Sequence, residues 1–315
     1  MNSSDNQKPQ RPPYPISSGD ITRVILATLL VLVAGFTIVL LLTMTGILTG
    51  GEPPTPEHLE NWTKEGISSL PLGLKLMAMV VQVALIIPVL LFLRNRKLSP
   101  FVFLRVRPVP ISLLFFSVLV GFGIAIIGDE INRLIGLVLP MPDELFEGLA
   151  QAMTLKTTSD VLTMGVTVAV LAPVIEEMIF RGFFQRYFEA TRGVTSGVLV
   201  ASALFAVYHF NLYWLIPILL MSTVMGAMVW RAESVFPSMM VHATNNIIGL
   251  VTANLWGTTG PSWYEFKGQV SPWMILLALV VLVVSLRQFF SIAEEKGLGG
   301  HSPRGDAGGH LDTRA

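Results

Sequence analysis

The stretch from Val161 to Phe180 constrains the fold most, because it is apolar enough to cross a bilayer yet carries two adjacent carboxylates, Glu176 and Glu177. A charged side chain at the centre of a membrane helix costs about 2.5–3.5 kcal/mol on insertion scales. Ionisable groups at such depth usually face a bundle interior or a water-filled cavity, where they mark a functional site. The stretch therefore predicts a membrane helix whose acids point into a bundle.

Helical geometry gives the two acids different surroundings. Glu177 and Arg181 are four residues apart, so they share a face and can form an ion pair. Glu176 lies about 140° around the helix from Arg181, which leaves it free for proton chemistry. Pro173 removes a backbone hydrogen bond and predicts a kink just before Glu176. The alternative interpretation is a structural ion pair beside an acid that reaches the interface, with no chemistry.

The composition predicts an all-α, polytopic membrane bundle. The chain has 315 residues, of which 52% are hydrophobic and 13% are charged, whereas soluble domains are about 25% charged. The zero net charge leaves no basic surface for nucleic acid. The absence of cysteine excludes disulfides and thiolate catalysis. We expect a membrane domain over 22–293 between disordered segments at 1–21 and 294–315.

The hydropathy pattern predicts about eight transmembrane helices. Short loops and the lack of organelle signals favour a bacterial plasma membrane. With eight spans, 16 of the 21 lysines and arginines fall on the side of the termini, which predicts that both termini are cytoplasmic. The loops at Pro56–Leu70 and Pro142–Met153 are predicted to form short interfacial helices. The expected spans are 22–46, 72–94, 111–135, 161–187, 195–214, 215–231, 235–256 and 273–293.

Two of the five histidines, His209 and His242, lie inside apolar spans, and Phe205 precedes His209 by one helical turn. Asn246 shares a helix face with His242, although Asn245 is nearly as close and spacing does not choose between them. Each residue alone is more typical of helix packing than of catalysis.

Together, a buried carboxylate, two imidazoles and a carboxamide are sufficient for hydrolysis by water. Glu176 and His209 would deprotonate the water, while His242 and Asn246 would donate to the developing oxyanion.

Three motifs carry a resemblance to a known family: Glu176-Glu177-x3-Arg181, Phe205-x3-His209 and His242-x3-Asn246. They resemble the motifs of the CPBP family of intramembrane endopeptidases, which includes CAAX prenyl proteases and bacteriocin-processing or Abi-like immunity proteins. The resemblance covers about residues 160–256 as the catalytic core. It implies a membrane protease in which Glu176, His209, His242 and Asn246 are catalytic and Glu177, Arg181 and Phe205 support them. It also selects Asn246 over Asn245.

The cofactor prediction is a glutamate mechanism that requires no metal. Members of the family are often labelled metalloproteases, and Glu176, His209 and His242 are residue types that bind Zn²⁺. However, the sequence has no H-E-x-x-H motif, and an asparagine four residues after His242 suits an oxyanion hole better than a zinc site.

The resemblance implies a peptide or protein substrate, prenylated, membrane-anchored or otherwise, cleaved near the cytoplasmic leaflet by a protein in contact with membrane lipids. A non-enzymatic immunity or scaffold protein would keep the same motifs. A proton-coupled transporter is a third hypothesis, but the sequence contains no convincing internal repeat to favour it.

Overall fold

The computed structural model describes residues 16–65, 69–256 and 260–299, and these residues are almost entirely helical. A short antiparallel hairpin joins the last two helices, with strands β1 (Glu265–Phe266) and β2 (Gln269–Val270). The helices are α1 (Ser18–Met44), α2 (Pro56–Glu65), α3 (Leu72–Ala84), α4 (Ile87–Asn95), α5 (Pro100–Phe103), α6 (Ile111–Gly136), α7 (Asp143–Ala152), α8 (Thr158–Arg192), α9 (Val194–Tyr208), α10 (Leu215–Ala232), α11 (Phe236–Trp256) and α12 (Pro272–Glu295).

Every predicted span coincides with helix in the structure, and α3 and α4 together form one of them (Leu72–Asn95). Among the described residues, six helices are long and apolar enough to cross a membrane: α1, α3 with α4, α6, α8, α10 and α12. The shorter α9 has 15 residues, or about 22 Å at 1.5 Å per residue. Polar residues on α11 reduce its hydropathy. The prediction of a polytopic helical membrane bundle is confirmed, with six candidate spans rather than eight.

Two predicted boundaries are wrong in informative ways. The fifth span was expected to continue to residue 214, but α9 ends at Tyr208, so His209 caps the helix instead of lying inside it. At the other end of the chain, α1 begins at Ser18, within the segment predicted to be disordered. Ser17 Oγ accepts from the Asp20 amide at 3.2 Å, and Asp20 Oδ2 accepts from the Ser17 amide at 2.9 Å. This capping box starts the helix early. At the start of the tail predicted to be disordered from 294, α12 continues to Glu295. The predicted disorder at 1–15 and 300–315 lies outside the described residues.

The alternating helices define two ends of the bundle, and an ion pair marks each one. At the first end, Arg96 Nη2 lies 2.5 Å from Asp20 Oδ1, which joins the end of α4 to the start of α1. We call this the basic end, because the arginine-rich segment 94–107 lies there. At the other end, Lys75 Nζ lies 2.6 Å from Asp160 Oδ1, which joins α3 to the start of α8. We call this the hairpin end, since it carries the β1–β2 hairpin, α2 and α7.

A buried charge cluster fixes the basic end of α8. The guanidinium of Arg105 pairs with Glu189 of α8 and lies 3.2 Å from Glu233, in the connection between α10 and α11. About two turns before Glu189, Gly182 approaches the carbonyl of Leu104 so closely that a Cβ atom would lie 2.7 Å from it. The segment between α4 and α6 therefore packs directly onto α8 and holds the helix that carries both glutamates.

The helix α8 is wider than a regular α-helix over much of its length. Residues Val161–Gly165, Thr167–Leu171 and Met178–Gln185 form π-helical turns, in which the backbone bonds reach five residues. Between them, Ala172–Glu177 is α-helical, with Pro173 in its first turn. The irregularity expected at Pro173 therefore takes the form of a change in hydrogen-bonding pattern next to both glutamates.

Candidate active site

Glu177 is a fully buried carboxylate that joins two helices. Its Oε1 atom accepts a hydrogen bond from Arg181 Nη1 at 2.8 Å, so the structure contains the ion pair expected from the four-residue spacing. The same oxygen lies 3.1 Å from Nδ1 of His242 on α11. Glu177 therefore holds both a cation of its own helix and an imidazole of another.

Arg181 lies deeper than the sequence indicated. The arginine and lysine distribution assigns it to the cytoplasmic side, but its side chain is completely buried in the bundle. Nη2 donates to the Ser222 hydroxyl at 2.7 Å, and the guanidinium carbon lies 4.1 Å from the centroid of the Phe205 ring. Hydrogen bonds and a cation–π contact thus replace the hydration that Arg181 loses.

Glu176 has a different environment, although it adjoins Glu177 in the chain. Its Oε1 atom accepts a hydrogen bond at 3.1 Å from Nε2 of Gln82, on α3. Its Oε2 atom is buried without a hydrogen-bond partner among the described residues, and lies 3.9 Å from His242 Nε2. That separation is too long for a direct hydrogen bond. Glu176 is therefore anchored through one oxygen and presents the other to the imidazole.

The contacts of the two histidines determine which ring nitrogen carries a proton. His209 Nδ1 lies 2.8 Å from the Phe205 carbonyl oxygen, which can only accept, so Nδ1 is protonated. His242 Nδ1 faces the Glu177 carboxylate and is assigned in the same way. In their neutral forms, both rings therefore keep Nε2 as a free proton acceptor.

The Phe205 ring brings the three motifs together. It is fully buried, and its centroid lies 4.7 Å from the His209 ring and 5.4 Å from the His242 ring, both in edge contacts. Arg181 covers the same ring. Because one aromatic ring touches side chains from α8, α11 and the end of α9, it fixes their relative positions.

Asn246 lies one turn from His242 on α11, as expected. Its Nδ2 donates at 2.9 Å to the Val168 carbonyl, in one of the π-helical turns of α8. Asn246, Asn245 and both histidines line one cavity. The structure therefore brings the two asparagines to the same space and gives Asn246 a defined contact with α8.

This cavity has a volume of about 500 Å³ and lies between α6, α7, α10 and α11. Its lining is mainly apolar, with the two histidines and two asparagines at one part of the wall. Glu176 does not line it, since the carboxylate lies against His242 between α8, α3 and α11. Of the four predicted catalytic residues, His209, His242 and Asn246 therefore line the cavity, and Glu176 reaches this group through His242.

The metal alternative can be compared with the arrangement of the donors. Over residues 16–65, 69–256 and 260–299, no group of three or more His, Cys, Asp or Glu side chains is placed to hold a metal ion. The Nδ1 contacts of His242 with Glu177 and of His209 with a backbone carbonyl leave Nε2 of both rings free, as in metal-binding histidines, so they do not decide the question. No metal centre is preformed among the described donors, and the metal-free mechanism stays a prediction.

Sequence reasoning missed two contributors, Gln82 and Ser222. Gln82 is a lone carboxamide in the apolar span 72–94, and Ser222 is one of two adjacent hydroxyl residues in the span 215–231. A polar residue in such a run is itself a signal. The pattern does not show, however, that Gln82 meets Glu176 and Ser222 meets Arg181, because both contacts join helices distant in the sequence.

The fold and this cluster define an integral membrane protein with an acid, imidazoles and a carboxamide buried between its helices. Residues 158–248 match the family model described as type II CAAX prenyl endopeptidase Rce1-like. The match begins at the first residue of α8 and contains all three motifs, which confirms the resemblance to the CPBP intramembrane proteases. It supports a CAAX-type intramembrane endopeptidase in general, and hence a peptide or protein substrate. The chain matches no curated protein and no solved structure.

Proposed function

We propose that this protein is an intramembrane endopeptidase in which Glu176 is the general base. The observation that carries the proposal is the Glu176 carboxylate, which Gln82 holds through Oε1 while Oε2 is buried without a hydrogen-bond partner among the described residues. Leaving a buried carboxylate oxygen unsatisfied is costly, and a catalytic role is one explanation for such an atom. Glu177 Oε2 also lacks a hydrogen-bond partner among the described residues, but Glu177 is paired with Arg181 at 2.8 Å. Glu176 forms no ion pair with a lysine or arginine in the described ranges, so it is the carboxylate that can take up a proton.

His209 acts with Glu176 on the attacking water. Its Nδ1 proton is engaged with the Phe205 carbonyl, so Nε2 is free to accept a proton, and the ring lines the cavity. The water oxygen bonds to the substrate carbonyl carbon as its proton moves to the Glu176–His209 pair. The same proton then passes to the leaving nitrogen as the carbon–nitrogen bond breaks.

Asn246 and His242 stabilise the negative charge on the carbonyl oxygen during attack. A carboxamide has two N–H donors, and Val168 uses one of those of Asn246. His242 donates from Nε2 only when that nitrogen is also protonated, with Nδ1 held by Glu177. Such donors contribute most when they are already oriented, which the contacts to Val168 and Glu177 accomplish.

The substrate is a peptide or protein presented within or beside the bilayer, and prenylated C-termini are one candidate class. We place the protein in a bacterial plasma membrane because its loops are short and organelle signals are lacking, and we place both termini in the cytoplasm because of its arginine and lysine distribution. Lipids surround its exposed apolar surface. The mechanism uses side chains alone and needs no metal.

The test is hydrolysis of a quenched fluorescent peptide library by purified protein in detergent. Glu176→Gln keeps the shape of the side chain but removes the base, so hydrolysis should be lost at an unchanged thermal midpoint. Glu294→Gln removes an exposed carboxylate at the end of α12 and should leave hydrolysis intact. Equal hydrolysis by the wild type and Glu176→Gln would contradict the proposed base. No hydrolysis by the wild type would favour the scaffold alternative.

The same preparation tests the metal question. Active protein should contain no stoichiometric metal by elemental analysis, and strong chelators should not reduce its rate. About one zinc ion per chain, whose removal abolishes turnover and whose return restores it, would replace the glutamate mechanism with a metal one.

A further inference from the structure

The cavity beside His209 and His242 extends toward one end of the bundle, and this determines the side from which a substrate can reach the site. We propose that the cavity binds an apolar segment of the substrate, which enters from the hairpin end, opposite the two termini. This inference rests on the proposed function and deepens it. It also revises the sequence expectation of cleavage near the cytoplasmic leaflet, because the predicted topology places the hairpin end on the other side.

One face of α11 forms a continuous wall from the site to the hairpin end. The cavity-lining residues of this helix begin at His242, include Asn246, Gly249 and Thr252, and end at Trp256. The first and last are fourteen residues apart, about 21 Å at 1.5 Å per residue. Because the wall starts at the candidate catalytic residues, the cavity is an extension of the active site and not a separate pocket.

Close helix packing closes the cavity toward the basic end. A Cβ atom on Gly121 of α6 would lie 2.7 Å from Thr244 Cβ and 3.0 Å from the Val241 carbonyl of α11. The two helices therefore touch directly beside His242. Beyond this contact, α6 lines the cavity from Ile124 to Arg133, as α11 does from Asn245 onward. A substrate segment thus has room only on the hairpin side.

A polar rim surrounds the cavity at the hairpin end. Tyr264 OH donates to Asp129 Oδ2 at 2.8 Å, and Arg133 lies 3.2 Å from the same oxygen. Burial and the Asp129 carboxylate both raise the pKa of Tyr264, so the phenol stays a donor. Asn254 holds the end of α7 through its bond to the Met153 carbonyl at 2.8 Å. An apolar interior with a hydrogen-bonded rim is typical of ligand sites.

The lining chemistry specifies the occupant as an extended peptide with apolar side chains. Phe146, Leu149 and Met153 of α7 and Ile218 and Met221 of α10 supply apolar walls. Asn245 and Asn246 supply the groups that a peptide backbone requires where no secondary structure satisfies it. A volume of about 500 Å³ is within the usual range for such sites.

Gly249 offers a direct test of occupancy. It lines the cavity, and a Cβ atom there would meet nothing within 4 Å. Gly249→Leu should therefore fold normally while lowering kcat/KM for bulky apolar peptides by about 10- to 200-fold. Gly136→Leu is the matched control, because its Cβ also meets open space but the residue does not line the cavity. Unchanged hydrolysis by a stable Gly249→Leu protein would overturn the assignment of the cavity.

Oriented vesicles test the side of entry. A membrane-impermeant peptide that is cleaved in detergent is added outside sealed vesicles, and protease access to a C-terminal tag reports their orientation. Hydrolysis should occur in vesicles whose tag is inside. Hydrolysis confined to vesicles whose tag is outside, or equal in both, would overturn the inference while leaving the protease intact. Failure of the proposed function appears differently, as no hydrolysis even in detergent.

Discussion

At the scale of single residues, the two adjacent glutamates illustrate how position on a helix decides chemistry. Glu177 accepts from Arg181 and faces His242 through one oxygen, so its charge is compensated inside the bundle. Glu176 receives a single neutral donor, Gln82, and its other oxygen lies 3.9 Å from His242 Nε2, with no lysine or arginine paired to it in the described chain. The first environment stabilises a permanent anion, and the second leaves a carboxylate able to take up a proton.

Glu177→Gln should lower stability more than it alters chemistry. The change leaves the buried charge of Arg181 without its anion, and breaking such a pair costs about 3–5 kcal/mol. Because His242 also loses its charged partner, we expect reduced but measurable hydrolysis.

Thermal midpoints of Glu177→Gln, Arg181→Gln and the double variant measure this pair. The double variant should be less destabilised than the sum of the two single changes, since both remove one interaction. Additive losses would show that the ion pair is not the main role of either residue. A stable, inactive Glu177→Gln beside an active Glu176→Gln would reverse the two assignments.

Gln82→Leu should lower kcat without a comparable change in KM, because Gln82 orients Glu176 and does not line the cavity. Loss of a hydrogen bond to a charged group is worth about 1.5–3 kcal/mol, which corresponds to roughly a tenfold to hundredfold slower step.

Steady-state kinetics at matched folded concentration provide the measurement. Gln288→Leu, at an exposed position on α12, controls for the loss of a carboxamide. A rise in KM alone would show that Gln82 contacts substrate instead of positioning Glu176.

At the scale of secondary-structure elements, the length of α9 determines the depth of His209. The helix spans about 22 Å, whereas the hydrocarbon core is about 30 Å thick. If α9 starts at one membrane surface, it ends below the other, so its cap residue lies within the bilayer. A short helix thus brings His209 beside Phe205 and the cavity without placing it in a regular span.

The contact between α6 and α11 should be intolerant of added volume at Gly121. Gly121→Val would force α6 away from Thr244, two residues from His242, and overpacking of this kind costs about 1–3 kcal/mol. We expect a lower thermal midpoint together with slower hydrolysis.

Gly136→Val is the control, because it introduces valine into the same helix where a Cβ meets open space. The comparison separates the steric effect at Gly121 from the effect of valine on helix propensity. Thermal unfolding followed by tryptophan fluorescence compares the two variants. Equal midpoints would show that the α6–α11 contact yields easily and does not position His242.

At the scale of the whole molecule, the distribution of arginine and lysine predicts the orientation. Two of the sixteen cations assigned to the cytoplasmic side, Arg105 and Arg181, are buried, but the others still outnumber the five on the hairpin side. The Asp20–Arg96 and Lys75–Asp160 pairs place the loops at the ends that this orientation requires.

Reporter fusions check this prediction in cells. Fusions after residues 100, 192 and 310 should all report the cytoplasm, and fusions after residues 60 and 150 the opposite side. A cytoplasmic reporter signal after residue 150 would show that the segment containing α7 has the opposite orientation. The side from which we infer substrate entry would then change as well.

The sequence by itself determined the helical membrane class, the approximate position of each long helix and the three motifs. Hydrophobic length and helical periodicity are local properties, so the Glu177–Arg181 pair could be predicted from a four-residue spacing. Only the tertiary structure decided that Gln82 holds Glu176, that Phe205 touches both histidines, and that the cavity extends toward the hairpin end. These contacts join helices distant in the chain, and lipid-facing and buried apolar residues look alike in sequence. The helix neighbours and their approach distances depend on packing, which no local pattern encodes.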